Sequence, residues 1–368
     1  DKTRFIAAAS HDLLQPLHAA RLFVATLGER HPQDELVNKV DDGLASVEAL
    51  LDALLDIAKL DAGAVKPEVR AIPIGPLLES LATSFAPIAQ KYNVALRVVP
   101  TTAVTKSDPA LLRRLLQNFL SNAIRYGHQS GRPARVLLGC RRSANGLRIV
   151  VADNGPGIAA EHRQTVFREF TRLRSVGRDG ERGLGLGLAI VDRIARVLGH
   201  RIALESNPGR GAAFSIIVPQ APISEVRPAA AAAPTAKSRR FARAPFVVCI
   251  DDERQVREGM AALLGSWGCQ TALGASAEDV LDSVAQSGRA PDLLLIDLHL
   301  GQGQADGLST ITRLRQDWGE DLPAALITAE RDPATLNAAR GQRVDVLLKP
   351  VKPAQLRALI AQRAASAE

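Results

Sequence analysis

Gly183-Leu-Gly-Leu-Gly-Leu188 sets alternating glycines ahead of a helical segment, where backbone N–H groups can close on phosphate oxygens. It lacks the Lys-Ser/Thr of a P-loop and follows a polar stretch, so neither a P-loop nor a dinucleotide-binding turn fits. Asp153-Asn-Gly-Pro-Gly157 comes directly after the apolar run Leu147–Ala152. A carboxylate at a strand end can accept a hydrogen bond from the exocyclic amine of a base, and Gly155 and Gly157 keep the turn open for a flat ring. Asn118 and Asn122 are spaced i,i+4 and share one face of a helix. Their neutral amide oxygens suit Mg²⁺ that phosphates already carry.

Two further sets could accept a phosphoryl group. Ser10-His-Asp-Leu-Leu-Gln-Pro-Leu17 begins a helical stretch. The Asp12 carboxylate can orient the His11 imidazole and take its proton, leaving the other ring nitrogen as nucleophile. His18 holds the same heptad position seven residues later, but Ala19 follows it and no proline comes after, so His11 is preferred. In the last third, Asp251 and Asp252 end one apolar run, Asp297 a second and Thr328 a third, and Lys349-Pro350 follows a fourth. At converging strand ends, three carboxylates can hold Mg²⁺ with open positions for a phosphoryl group, beside a hydroxyl and an ammonium.

The elements that must place these groups follow from periodicity. Residues 1–65 read as a helical hairpin broken at His31-Pro32-Gln33-Asp34. Ile6, Leu13, Ala20 and Leu27, with Ser10, Leu17 and Val24 between them, and Val37, Val40, Leu44, Val47, Leu51, Leu54 and Ala58 recur in steps of three and four. Two helices bury little alone, so the spacing predicts a dimeric four-helix bundle. Pro16 predicts a bend in the first helix. Residues 72–220 predict helices at 75–92, 109–126 and 188–198, with strands at 94–99, 135–141, 146–153, 201–206 and 212–219. That pattern is an α+β sandwich with helices on one face of a mixed sheet. Five short apolar runs between residues 246 and 348 alternate with helical stretches, which predicts a doubly wound, five-stranded parallel α/β domain. The domain boundaries read 1–66, 67–220, an Ala/Pro-rich basic linker at 221–245, and 246–368.

Composition excludes little but points the same way. The chain has 46 basic and 39 acidic residues dispersed along its 368, with no basic stripe interleaved with aromatics, so nucleic acid is not an expected partner. Its three cysteines, Cys140, Cys249 and Cys269, form no CxxC pair and are read as buried thiols. No run of about 18 apolar residues could span a membrane.

Taken together, the central motifs resemble the ATPase domain shared by histidine kinases, gyrase, Hsp90 and MutL. The resemblance implies that Asn118 and Asn122 form its N box, with Asn122 as Mg²⁺ ligand. It assigns Asp153, Gly155 and Gly157 to the adenine-binding G1 box, Phe167 and Phe170 to the F box, and Gly183, Gly185 and Gly187 to the G2 box. Residues 171–182 would then be an ATP lid. Arg125-Tyr126 stands where that family often has Lys-Tyr or Lys-Phe. Residues 10–17 resemble the H box of histidine kinases, with Asp12, Leu14 and Gln15 in place of Glu, Arg and Thr. Residues 246–368 resemble a response-regulator receiver, with Asp297 as phosphoacceptor, Asp251 and Asp252 on Mg²⁺, and Thr328 and Lys349 on the phosphoryl oxygens. A cis Lys349–Pro350 bond is implied too. The segment 298–305 is longer by two residues than usual, and Val346 replaces the usual aromatic.

The whole resembles the core of a hybrid sensor histidine kinase. This implies ATP and Mg²⁺ as cofactors, autophosphorylation on His11 and transfer to Asp297. Expected partners are a second copy through the hairpin and a downstream response regulator or histidine phosphotransfer protein. A cytoplasmic location is implied, with any tether to the inner membrane lying in a sensor region upstream. Two other classes stay open on the residues: a nucleotide-sensing scaffold without phosphotransfer, and a gyrase- or MutL-like ATPase on DNA. Kinase turnover separates the first. The hairpin and the C-terminal domain speak against the second.

Overall fold

The computed structural model describes residues 2–127, 132–171, 185–225, 244–301, 306–329 and 333–364, without the side chains at 2–14, 333 and 364. The chain divides into two compact units, residues 1–6 with 50–231 and residues 7–49 with 232–368.

Two long helices come first, α1 (Lys2–Arg30) and α2 (Glu35–Asp61), and α1 runs through Pro16. They break at the expected turn, where Asp34 accepts a hydrogen bond from Leu36 N at 2.8 Å. Within the single chain only part of the expected seam is buried. Leu27, Val40 and Val47 are 45%, 50% and 55% exposed, whereas Leu17, His18, Ala19, Leu22 and Thr26 are buried. Periodicity marks an apolar stripe but cannot say which partner covers which side of the helix. Here Ala19 and Leu22 join a core built by residues of the C-terminal domain.

The first unit continues with β1 (Arg70–Pro73), α3 (Ile74–Lys91), β2 (Val94–Val98), β3 (Val104–Ser107), α4 (Pro109–Tyr126), β4 (Ala134–Ser143) and β5 (Gly146–Asp153). After these come α5 (Gly187–Leu198), β6 (Arg201–Asn207), β7 (Gly211–Val218) and β8 (Gln220–Ala221). The main sheet has order β2-β4-β5-β7-β6, with β2 and β4 parallel and the other pairs antiparallel. Leu78 of α3, Phe119 of α4 and Ile194 of α5 share one core with Ile149, Val151 and Ile216 of the sheet. Ala53, Ile57 and Leu60 from the end of α2 join it, and Arg114 and Arg193 pair with Asp56 and Asp61 beside them.

A second, antiparallel sheet, β1-β3-β8, was not foreseen. Strands of four, four and two residues carry too little alternation to stand out in a sequence. It also moves the linker: Ala221 pairs with Val104, so the chain stays in the sheet past residue 220. Linker residues 226–243 lie outside the described residues.

The C-terminal domain alternates β9 (Phe246–Ile250), α6 (Arg254–Ser266), β10 (Gln270–Gly274), α7 (Ala277–Ser287), β11 (Leu293–Asp297) and α8 (Gly307–Trp318). It ends with β12 (Ala324–Thr328), α9 (Pro333–Gly341), β13 (Asp345–Leu348) and α10 (Pro353–Ala364). The sheet is wholly parallel, in the order β10-β9-β11-β12-β13. β9, β11 and β12 are buried at every residue, as strands covered on both faces must be. One face packs Ile250 and Ile296 with Ile311 of α8, and the other packs Cys249 and Leu295 with Met260 of α6 and Leu356 of α10. Cys249 and Cys269 are buried, Cys140 is half-buried, and all three are free thiols.

Helix α4 carries both site asparagines and is held at its start by Asp108. With Pro109 as the first helical residue, the Asp108 carboxylate accepts from Ala110 N at 2.8 Å and Leu111 N at 2.9 Å, and also from Glu68 N at 2.7 Å. Asp108→Ala should therefore destabilise the first unit by about 1–2 kcal/mol, read as a lower urea midpoint at unchanged slope.

Candidate functional sites

In the first unit the site forms where α4 ends, β5 ends and α5 begins. Leu115, Leu116, Phe119 and Leu120 are fully buried, and this leaves Asn118 and Asn122 half-buried on the other side of α4. Asn118 Nδ2 donates to Arg114 O at 3.0 Å, which turns its Oδ1 toward α5. A Cβ on Gly187 would lie 2.8 Å from that oxygen, so a side chain there would displace the Asn118 amide. Gly185 has φ +71°. Gly183 and lid residues 172–182 lie outside the described residues.

Asp153 ends β5. Its Oδ1 accepts from Gly155 N at 2.9 Å and Ala212 N at 3.2 Å, so Oδ2 is not held by either bond. Burial raises its pKa against the pull of those two hydrogen bonds. A Cβ on Gly155 would meet Gly127 Cα at 2.6 Å, and one on Gly157, at φ +71°, would meet Asn207 O at 2.1 Å. The G1 turn is therefore pressed backbone to backbone against the end of α4 and the β6–β7 turn.

Sequence reasoning missed the other halves of these contacts. Gly127 closes α4 beneath Gly155, and Gly211, at φ +88°, would place a Cβ 2.0 Å from Asp153 O. Ser206 ties the turn down by accepting from Ile158 N and donating to Gly211 O, each at 2.8 Å. The Pro208-Gly-Arg-Gly211 stretch was the available signal, though its partner lies far back in the chain. Arg125 and Tyr126 are exposed at the end of α4. The two F-box residues part company. Phe167 sits edge-on to Phe214, at 6.4 Å between ring centres, whereas Phe170 is 59% exposed with φ +55°. With one Asp153 oxygen outside both of its backbone hydrogen bonds and two amides nearby, this cradle fits a nucleotide, and its glycines let the turns that form it pack backbone to backbone.

In the second unit the C-terminal site gathers at one edge of the parallel sheet, as expected. Ligand oxygens of Asp251, Asp252 and Asp297 all lie within 4.8 Å of one another. Lys349 Nζ donates to Asp297 Oδ2 at 2.7 Å and to Asp251 Oδ2 at 3.1 Å. Thr328 is buried at the end of β12, its carbonyl accepts from Lys349 N at 2.7 Å, and the Lys349–Pro350 bond is cis.

Burial pushes the Asp297 pKa up to about 6; Lys349 opposes this while Asp251 and Asp252 add to it. Burial also opposes the charge on Lys349, yet Asp251 and Asp297 lift its pKa above the usual lysine value. Three acids facing one ammonium leave negative charge in excess, and this hard-oxygen donor set fits Mg²⁺. Val346 lies half-buried in β13, and residues 302–305 of the longer loop lie outside the described residues.

The side chains of His11 and Asp12 also lie outside the described residues, although both positions are helical in α1. His18 is fully buried, and its Nδ1 accepts from Val351 N at 3.1 Å.

Comparisons with known proteins agree with this geometry. Residues 1–63 match the His Kinase A (phospho-acceptor) domain. Residues 107–222 match the histidine kinase-, DNA gyrase B- and HSP90-like ATPase, and residues 247–361 the response regulator receiver domain. Sensor histidine kinase AruS of Pseudomonas aeruginosa is 30% identical over 371 residues, covering 97% of this chain and 36% of that protein. Sensory/regulatory protein RpfC of Xanthomonas campestris pv. campestris is 25% identical over 400 residues, covering 99% of this chain and 54% of that protein. The chain thus spans about a third to a half of the length of these relatives. The full-length ShkA structure, solved in complex with AMPPNP, shares the fold at TM-score 0.51 and 23% identity, covering 99% of this chain and 72% of that one.

Three domains in this order define a class, a histidine kinase core followed in the same chain by a receiver. The chain carries the phospho-acceptor, ATPase and receiver domains in that order, and the relatives it matches include sensor histidine kinases. Its central domain is of the ATP-binding type. Among the described residues no helix is long and apolar enough to cross a membrane.

Without metal, the receiver's stability should rise as pH falls from 7 toward 5. Folded Asp297 takes up its proton near pH 6, the unfolded residue only near the ordinary value of 3.8, so between these the folded state holds more protons. Denaturant titrations across that range in a His18→Asn background, which removes the opposing titration of buried His18, should show the slope, lose it when Asp297→Asn is added, and show it reduced by millimolar Mg²⁺.

Proposed function

We propose that this chain phosphorylates His11 with ATP and then moves the phosphoryl group to Asp297. Asp153 would receive the adenine amine, the glycines of the G1 and G2 boxes would admit the base and phosphates, and Asn122, beside Asn118, would hold Mg²⁺ on the nucleotide. Asp12 takes the proton from one nitrogen of His11. The other nitrogen attacks the γ-phosphorus, the bond to the β–γ bridging oxygen breaks, and ADP leaves. A carboxylate oxygen of Asp297 then attacks the phosphohistidine, the P–N bond breaks, and an acyl phosphate forms.

Asp251, Asp252 and Asp297 would hold the receiver's Mg²⁺, which supplies positive charge to the transferring oxygens. Lys349 and Thr328 contribute an ammonium and a hydroxyl beside them. Catalysis here is positioning and charge neutralisation. The observation that carries this reading is Lys349 held between Asp251 and Asp297, a positive group fixed where phosphoryl oxygens would arrive. The hairpin would join two copies through α2, whose Leu36, Val40 and Val47 stay exposed. The phosphoryl group would pass on to a response regulator or a histidine phosphotransfer protein.

Incubation with γ-labelled ATP and Mg²⁺ tests this. Asp297→Asn should hold acid-labile, alkali-stable label, His11→Ala none, and the wild type an additional alkali-labile fraction. Asp153→Asn should bind ATP roughly 10- to 100-fold more weakly, the cost of about 1.5–3 kcal/mol for a hydrogen bond to a charged group. ATP binding without label in any form would instead identify a nucleotide-sensing scaffold.

A further inference from the structure

His18 is a buried histidine that neither site uses. Its Nδ1 accepts the backbone N–H of Val351, two residues beyond Lys349, at 3.1 Å. Accepting there puts the ring proton on Nε2, which is buried with no partner among the described residues. Around it α1 lies on the receiver domain. Ala19 and Leu22 share a core with Val256 and Met260 of α6 and Leu356 of α10. Gly259 makes the approach possible, since a Cβ there would stand 2.8 Å from Leu22 Cβ. Two helical turns beyond Leu22, Glu29 accepts from Trp267 Nε1 at 3.1 Å and pairs with Arg357 at 3.2 Å, and Arg357 lies over the Trp267 ring. Position 11 precedes position 18 by two helical turns, about 10 Å.

We propose that His18 is the positioning residue that seats the receiver on α1 for transfer from His11 to Asp297, and that it does so only as a neutral imidazole, which makes docking acid-sensitive. A second proton would have to sit on Nδ1, facing the Val351 N–H, and would turn an acceptor into a repelled donor. The charged groups acting on His18 are Lys349 on the receiver and Arg21 on α1, both positive; Arg21 is paired with Glu48 and Asp41 of α2. Burial and these two cations lower the pKa of docked His18 to about 3, against 6.5 for the free residue. Docking is therefore strongest above pH 6.5 and weakens by about tenfold per unit as pH falls below it. The segment 349–351 links the two ends of this device, because Lys349 holds Asp297 while Val351 holds His18.

The proposal rests on the His11-to-Asp297 reading, so its test has one arm free of phosphotransfer. In the full chain carrying Trp318→Phe, Trp267 emission reports docking. It should titrate between pH 8 and 5 in the His18 protein. It should stay in the docked state in His18→Asn, whose Oδ1 can accept from Val351 N but does not titrate. His18→Phe, and Gly259→Val acting from the opposite surface, should read as undocked already at pH 8. In the second arm, at pH 8, His18→Phe should slow label movement to Asp297 at least tenfold with His11 labelling unchanged, and His18→Asn should restore it to within about threefold. Equal loss in the Asn and Phe variants would reduce His18 to core packing and overturn the proposal, as would a wild-type titration that persists in His18→Asn. A wild-type chain that never labels His11 would refute the phosphotransfer reading instead, leaving the emission arm to decide on docking.

Discussion

The ammonium of Lys349, caught between two buried carboxylates, is the interaction around which the receiver is arranged. Asp251, Asp297 and Lys349 are each almost withdrawn from water. Removing one partner from such a set typically costs about 3–5 kcal/mol, because the charge left behind is unpaired. The doubly wound sheet makes the arrangement affordable by ending three fully buried strands at one edge, so that residues 251, 297 and 328 arrive together. One ammonium cannot balance three acids, and burial, which raises the pKa of Asp297, makes the excess charge costlier still. That imbalance fits a site built to gain positive charge from outside and then to take a phosphoryl group.

The ATP-binding domain solves the opposite problem. Its site is made less by charge than by closeness of main chain. Gly155 lies on Gly127, Gly157 on Asn207 and Gly211 on Asp153, each at a distance that leaves no room for a Cβ. Behind this layer, Phe119 and Phe167 both pack on Phe214, which ties α4 and the F-box turn to the sheet. Rigidity comes from the aromatic layer and space for the nucleotide from the glycines, so the two requirements do not compete for the same positions.

Helix α1 answers to more than one partner. The proposed phosphoacceptor His11 sits near one end, and the turns that follow present His18, Ala19 and Leu22 to the receiver while Phe23 and Leu27 stay exposed. A short polar contact at His18 Nδ1 and an ion pair at Glu29 bracket the apolar contact between them. Apolar packing supplies most of the attraction and the polar ends set the register, since only they depend on direction.

Much of this was legible from the residues alone. Periodicity put Asn118 with Asn122 on one face of a helix, Asp153 at the end of a strand, and Asp251 and Asp297 at the ends of parallel strands, and the fold places them there. The strands of the β1-β3-β8 sheet were not legible, because they are too short to show a period. Gly127 and Gly211 were not, because a glycine needed for close approach reveals its purpose only when its partner is known. His18 looked like a lesser copy of His11, since the sequence shows spacing from a motif and not what covers a helix face. The sequence by itself determined the main helices and strands of each domain and which residues gather at their ends. Only the tertiary structure decided which side of α1 is buried and which backbone N–H His18 receives, because both depend on contacts between residues more than two hundred positions apart in the chain.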